Sequence, residues 1–120
     1  MVNYCLVVPL LPGKIELAKK FEEMNGGHSK EHDEFYKMAG VSREQVWIQK
    51  SPPGSSGVPD VEIVSMETED PAKTLKEFST SSHPWAIRFR KFAKEAFGID
   101  FSLGSPPPLN ELIVDWNEEK

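Results

Sequence analysis

The apolar and polar positions in the first third of the chain follow two periods. Residues 4–8 are apolar and end at a proline, which is typical of a short buried strand. From Leu17 to Met38, apolar residues and two histidines recur every three or four positions, which is the period of an amphipathic helix. Gly26 and Gly27 interrupt this stretch, so one bent helix and two consecutive helices both fit the pattern.

The middle of the chain predicts a β-hairpin. In "EQVWIQKS", Val46 and Ile48 alternate with Trp47 and two glutamines, so the two sets face opposite sides of a strand. A similar alternation resumes in "VEIVSME" after residues 51–60, which contain three prolines and two glycines. We therefore predict two antiparallel strands joined by a hairpin loop over 51–60.

Two helices and a strand are predicted for the rest of the chain. Asp70 followed by Pro71 is a typical helix start, and a second helix is predicted to begin near Pro84. Residues 102–110 form a Pro-rich link. The alternating segment "ELIVDW", residues 111–116, then predicts the last strand.

The order of these elements defines the predicted fold. Strand, helix, strand, strand, helix pair and strand is the order of the ferredoxin-like βαββαβ fold, in which a four-stranded antiparallel sheet has its helices on one face. We expect residues 1–120 to form one such α+β domain. Leu112, Val114 and Trp116 alternate with their neighbours and make the uncovered sheet face apolar, which favours association. Two sheets packed together would give a homodimer with the architecture of a dimeric α+β barrel.

The composition argues against several classes of protein. A formal net charge of -5 opposes binding to a phosphate backbone, so we expect no nucleic-acid partner. The apolar opening lacks a positively charged start, and no run approaches the ~18 apolar residues of a membrane span, so we expect neither a signal peptide nor a membrane partner. Cys5 is the single cysteine, which excludes an intrachain disulfide and agrees with a cytoplasmic location.

Four segments together resemble a small bacterial and archaeal family of unknown function in the dimeric α+β barrel superfamily: "REQVWIQ", "EDPAKTLKEF", "HPWAIRFRKF" and "PPPLNELIVDW". The resemblance covers nearly the whole chain. It implies a ferredoxin-like protomer, a homodimer joined through the sheets, and a cavity between helices and sheet. Members of the broader superfamily include cofactor-independent monooxygenases, muconolactone isomerases, polyketide ring cyclases and haem-binding proteins, so the fold does not define the activity.

A candidate small-molecule site follows from the two histidines. His28 and His32 lie four residues apart and point, in the predicted fold, toward the helix that begins near residue 84. An apolar pocket with a few convergent polar groups is the usual form of a ligand site. The tryptophans of this region would form a wall for a planar ligand, and an arginine would pair with its anionic group. The predicted ligand-binding set is His28, His32, Tyr36, Trp47, His83, Trp85, Arg88 and Phe89.

Each of these residues also has a structural interpretation. A histidine on an apolar stripe is most often a packed residue with a satisfied hydrogen bond. Either Ser82 or His83 is in a position to cap the helix that begins near Pro84, and Arg88 is in a position to pair with an acidic side chain. Two histidines four apart can also share a metal ion with a third ligand. Since the sequence has no HExxH motif, we predict neither a metal nor a cofactor.

Two functional hypotheses remain open. In the first, the protein is a small cofactor-independent enzyme of the monooxygenase or isomerase type, which binds an apolar or aromatic molecule and uses His32 to move a proton. In the second, it is a non-catalytic dimeric module whose core is filled by its own side chains. A ligand-sized cavity beside His28 and His32 would favour the first.

Overall fold

The fold consists of three strands and four helices in the part of the chain that this computed structural model describes, residues 1–103 and 107–119. In chain order the elements are β1 (Val2–Pro9), α1 (Ile15–Asn25), α2 (Lys30–Met38), β2 (Val41–Gln49), β3 (Val61–Thr68), α3 (Pro71–Thr80) and α4 (Pro84–Phe97).

The strands form one antiparallel sheet in the order β1-β3-β2. The predicted hairpin is therefore confirmed, because β2 pairs with β3 across the loop 51–60. In the register of the sheet, Val7 lies opposite Ile63, and Ile63 lies opposite Trp47. These three side chains form a row on the face of the sheet that points away from the core, where Val7 and Trp47 are 59% and 46% exposed.

The predicted ferredoxin-like βαββαβ arrangement with four strands is wrong. Residues 111–116 pair with no strand in the described part of the chain, and Leu112, Val114 and Trp116 are exposed and do not line a sheet face. The local reason lies just before them. The side-chain amide of Asn110 donates to the Cys5 carbonyl oxygen at 2.9 Å and accepts from the Cys5 N–H at 2.7 Å, so it occupies the backbone groups that a fourth strand would bond. Residues 104–106 of the predicted Pro-rich link lie outside the described residues.

The predicted helical stretch from Leu17 to Met38 consists of two helices. A Cβ at Gly26 would overlap the backbone oxygen of Glu22, so glycine is required where α1 ends. His28 then adopts a left-handed conformation with φ of 73°. The Ser29 hydroxyl accepts from the backbone N–H of His32 at 3.3 Å and caps α2. The two histidines therefore do not share a helical face, because His28 precedes the helix.

The starts of α3 and α4 agree with their sequence signals. The Asp70 carboxylate accepts from the backbone N–H groups of the next two non-proline residues, and Pro71 occupies the first helical position. His83 caps α4, because its Nδ1 accepts from the Trp85 N–H at 3.1 Å. Gly98 ends α4 in the left-handed conformation, with φ of 72°.

The core lies between the helices and the inner face of the sheet. Its centre is aromatic, and Phe35 stacks on Trp85 at a ring-centroid distance of 5.4 Å. The largest fully buried side chains are Trp85, Tyr4, Phe35, Thr68 and Thr74. The two threonines bond each other at 2.7 Å, and Thr74 donates to the Ala39 carbonyl oxygen, so the buried hydroxyls have partners.

Candidate functional site

A cleft of about 540 Å³ opens between α2 and β2 and is bounded at one end by α1 and the link that follows it. Its walls carry both charged and apolar groups. Val41 and Val46 supply apolar surface, and Lys37 and Arg43 supply positive charge. Deeper side chains from three elements form the acidic and aromatic part of the lining, namely Glu22, His32, Tyr36 and Glu44. A cleft of this size accommodates a small organic molecule.

His32 lies at the centre of this lining and is buried. Its Nδ1 lies 2.9 Å from Asp33 Oδ1, and its Nε2 lies 3.4 Å from Glu44 Oε1. The imidazolium form donates a hydrogen bond to each carboxylate. Burial lowers the pKa of His32, but the hydrogen bonds that His32 donates to Glu44 and Asp33, with the charges of these carboxylates, outweigh burial and raise this pKa overall. The same contact with His32 lowers the pKa of Asp33.

Tyr36 joins the histidine and the glutamate into one cluster. Its ring stacks on the His32 imidazole at a centroid distance of 3.8 Å. Its hydroxyl donates a hydrogen bond to Glu44 Oε2. Burial raises the pKa of Tyr36 well above its ordinary value, and the neighbouring Glu44 carboxylate adds to this effect. The tyrosine therefore stays protonated and serves as a hydrogen-bond donor.

Glu22 connects the cleft to the interior of the protein. Glu22 borders the cleft and also a void of about 30 Å³ among the core side chains. Burial raises the pKa of Glu22 to about 7, and the charge of Glu44 contributes, while His32 acts in the opposite direction. A carboxyl group that titrates near neutral pH serves both as a proton donor and as a proton acceptor.

Glu62 also lines this void. It is 2% exposed, and its Oε1 atom has no hydrogen-bond partner among the described residues. Burial raises the pKa of Glu62 to about 8, with further contributions from the charges of Glu22 and Glu44. The cleft and the void together thus bring three glutamates, a histidine and a tyrosine into one region.

The structure brings together part of the predicted ligand-binding set. His32 and Tyr36 line the cleft with His28, which is exposed at its edge. Trp85 and Phe89 do not line the cleft and instead border the void of about 30 Å³.

The other predicted residues have structural partners. His83, besides capping α4, lies with its Nε2 3.3 Å from Glu34 Oε1. Arg88 donates to Asn25 Oδ1 at 3.0 Å and to Glu31 Oε2 at 3.2 Å. Trp47 lies on the outer face of the sheet, away from the cleft.

The prediction from sequence missed the three glutamates, although the strand pattern contains a signal for two of them. Glu44 precedes Val46 by two positions on β2, and Glu62 precedes Val64 by two positions on β3. Residues two apart on a strand face the same side, so each acidic side chain belongs to the inward face. An acidic residue in phase with the apolar residues of a strand marks a buried carboxyl group.

No group of three or more histidine, cysteine, aspartate or glutamate side chains in residues 1–103 and 107–119 is arranged to hold a metal ion. Within the same ranges, no helix combines the length and apolar character that crossing a bilayer requires. The chain matches no family model, no curated protein and no solved structure at a significant level.

Proposed function

We propose that the cleft binds a small molecule with an acidic C–H or O–H group and that the protein moves a proton on this molecule with its own side chains. The observation that supports the proposal most directly is the hydrogen-bonded cluster of His32, Tyr36 and Glu44, which lines an open cleft together with Glu22. Groups that exchange protons near neutral pH are expected where an enzyme performs acid and base chemistry.

Glu22 is the proposed catalytic residue. It borders the cleft, whereas both ring nitrogens of His32 already face carboxylates. In its ionised form Glu22 takes a proton from the ligand and becomes a neutral carboxylic acid, and the ligand becomes an anion. Returning the proton to a different atom of the ligand completes an isomerisation and restores the carboxylate. His32 is the proposed positioning residue, since its positive charge offsets that of Glu44 and favours ionised Glu22.

The remaining lining suggests the kind of ligand. Lys37 and Arg43 place positive charge on the cleft walls, where they would stabilise the anion that forms. Val41 and Val46 offer a surface for an apolar or planar part of the molecule. Small phenols and enolisable acids with one planar apolar portion combine these features.

The experiment is a screen for binding followed by a screen for proton exchange. A set of phenols and enolisable keto acids is added to the ¹⁵N-labelled protein, and shifted amide signals around the cleft identify binders. Binders with an enolisable C–H group are then incubated in D₂O, and deuterium incorporation at that carbon is followed by NMR and compared with a sample without protein. Glu22→Gln should abolish incorporation, while Glu23→Gln, the adjacent exposed glutamate on α1, should retain it. Equal incorporation in the two variants would refute the role of Glu22, and binding away from the cleft would refute the site.

A second candidate function is that of a homodimeric module without catalysis. Two observations favour it. The row of Val7, Ile63 and Trp47 leaves apolar surface on the outer face of the sheet, and the void among the core side chains is only about 30 Å³. In this proposal the sheet faces of two copies pack together. Sedimentation equilibrium should give a dimer that Trp47→Ser weakens and that Ile87→Ser, at an exposed apolar residue on α4, does not. A monomer at micromolar concentration would refute this candidate.

A further inference from the structure

The void of about 30 Å³ between β3 and the cleft has an unusual lining. Its apolar part comes from β1, β3, α3, α4 and the residues that follow α4: Leu6, Val64, Met66, Leu75, Phe78, Trp85, Phe89 and Phe101. Its polar part consists of Glu22 from α1, Tyr36 from α2, Glu44 from β2 and Glu62 from β3. Among the described residues, no lysine, arginine or histidine borders the void. His32 approaches this polar part through Glu44 and Tyr36.

The volume and the polar groups of the void suit one water molecule. A cavity needs roughly 10–15 Å³ to admit a water, and such a water needs two to four polar partners. The void exceeds this minimum, and four side chains with oxygen atoms border it. Glu62 Oε1 is buried without a partner among the described residues, and a buried polar atom of this kind requires one.

We propose that Glu62 is a proton store for the cleft, connected to Glu22 and Glu44 through a single water in this void. This inference rests on the proposed function, because it supplies the proton that the cleft chemistry exchanges. In the transfer step, the Glu62 carboxylic acid gives its proton to the water, and the water gives one of its own protons to the Glu22 carboxylate. Glu62 becomes ionised, Glu22 becomes neutral, and the reverse transfer restores both.

Glu62 is suited to this role by its position. It does not line the cleft, so it cannot take a proton from the ligand directly. Glu22 and Glu44 border both the cleft and the void, so each is a possible exit for the proton. Burial raises the pKa of Glu62 to about 8, above the value of about 7 for Glu22, so near neutral pH the stored proton lies on the inner carboxyl.

The test is a titration of the side-chain carboxyl carbons by NMR on ¹³C-glutamate-labelled protein without added ligand. Two carboxyl groups should titrate near neutral pH. Glu62→Gln should remove the step at higher pH, and Glu22→Gln should move that step to lower pH, because it removes a negative charge near Glu62. Glu67→Gln, on the opposite face of β3, should leave both steps in place. If the steps in Glu62→Gln match those of the unaltered protein, the proposal is wrong.

A high-resolution crystal structure of the unaltered protein provides a second measurement that requires no variant. We expect one water within hydrogen-bond distance of Glu62 and of Glu22 or Glu44. A dry void, or a Glu62 carboxyl bonded to another protein group, would overturn the proposal.

Because neither measurement uses a ligand, this proposal and the proposed function can fail independently. If Glu62 titrated like an ordinary glutamate, the proton-store proposal would be wrong and Glu22 would remain a candidate base. If no ligand bound to the cleft, the proposed function would be wrong and the proton-store proposal would still stand.

Discussion

Replacing Glu62 with glutamine should change how the stability of the protein depends on pH. The ordinary pKa of a glutamate is 4.5, and burial together with the charges of Glu22 and Glu44 raises that of Glu62 to about 8. Below pH 4.5 the side chain is neutral in both the folded and unfolded states. Between the two values the unfolded chain loses the proton and the folded protein keeps it, so the free energy of unfolding falls as pH rises. Above pH 8 both states are ionised, and this contribution becomes constant.

The magnitude of this effect follows from the size of the pKa change. In this interval the folded state holds one proton that the unfolded state has lost. Each pH unit therefore lowers the free energy of unfolding by about 1.4 kcal/mol. From pH 5 to pH 9, Glu62 should therefore lower the free energy of unfolding by roughly 4 kcal/mol. The free energy of unfolding of a small domain is about 5–15 kcal/mol in total, so this loss is a large fraction of the stability. Glutamine keeps the shape of the side chain and cannot ionise, so the variant should lack this part of the pH dependence.

The assay is urea unfolding followed by circular dichroism at several pH values between 5 and 9. The loss of stability with rising pH should be smaller in Glu62→Gln by roughly 4 kcal/mol than in the unaltered protein. Glu67→Gln serves as the matched control, because Glu67 lies on the same strand with its side chain on the outer face. Parallel curves for the Glu62 variant and the unaltered protein would refute the reasoning, since they would mean that Glu62 ionises equally in the folded and unfolded states.

Three other substitutions test the local structure, each by the same unfolding measurement. Gly26→Ala should cost more than about 1 kcal/mol, because its Cβ would overlap a backbone oxygen, while Gly27→Ala should change little, since the space around it is open. Thr74→Val should cost about 1–3 kcal/mol through the loss of buried hydrogen bonds, and Thr80→Val, whose hydroxyl is exposed, should cost less. Asp70→Ala should cost about 1 kcal/mol by removing the cap of α3. A neutral result for any of the three costly substitutions would contradict the corresponding contact.

The parts of the fold that depend on neighbouring residues were predictable from sequence. The caps at Asp70 and His83 act within one helical turn, and the hairpin follows from two alternating segments on either side of the loop 51–60. The prediction of a last strand was wrong because an alternating pattern describes a single segment. It does not show whether a neighbouring strand has free backbone groups to pair with that segment. Residues 111–116 have the pattern of a strand, but the described part of the chain bonds the edge of β1 at Cys5 through the side chain of Asn110.

The candidate site was predictable where its residues share a helix. Both His32 and Tyr36 lie on α2 four residues apart, and they stack in the structure. The periodic pattern did not show where α1 ends, so His28 was predicted on the same helical face. In the structure His28 itself adopts the left-handed conformation between the two helices and therefore does not belong to α2. The convergence of Glu22, Glu44 and Glu62 depends on three distant segments, so periodicity within one element does not reveal it.

Buried polar groups at two places in the described part of the chain differ in a way that bears on function. Thr68 and Thr74 satisfy each other and a backbone carbonyl, as expected of polar groups that serve the fold. Glu62 is equally buried but has an oxygen without a partner in the described residues, and its ionisation is costly. An apolar residue at this strand position would avoid that cost, whereas the carboxyl lowers the free energy of unfolding as the pH rises from 4.5 to about 8. Glu62 lines the same void as Glu22, and Glu22 also borders an open cleft. Proton exchange with that cleft is the use that accounts for its position.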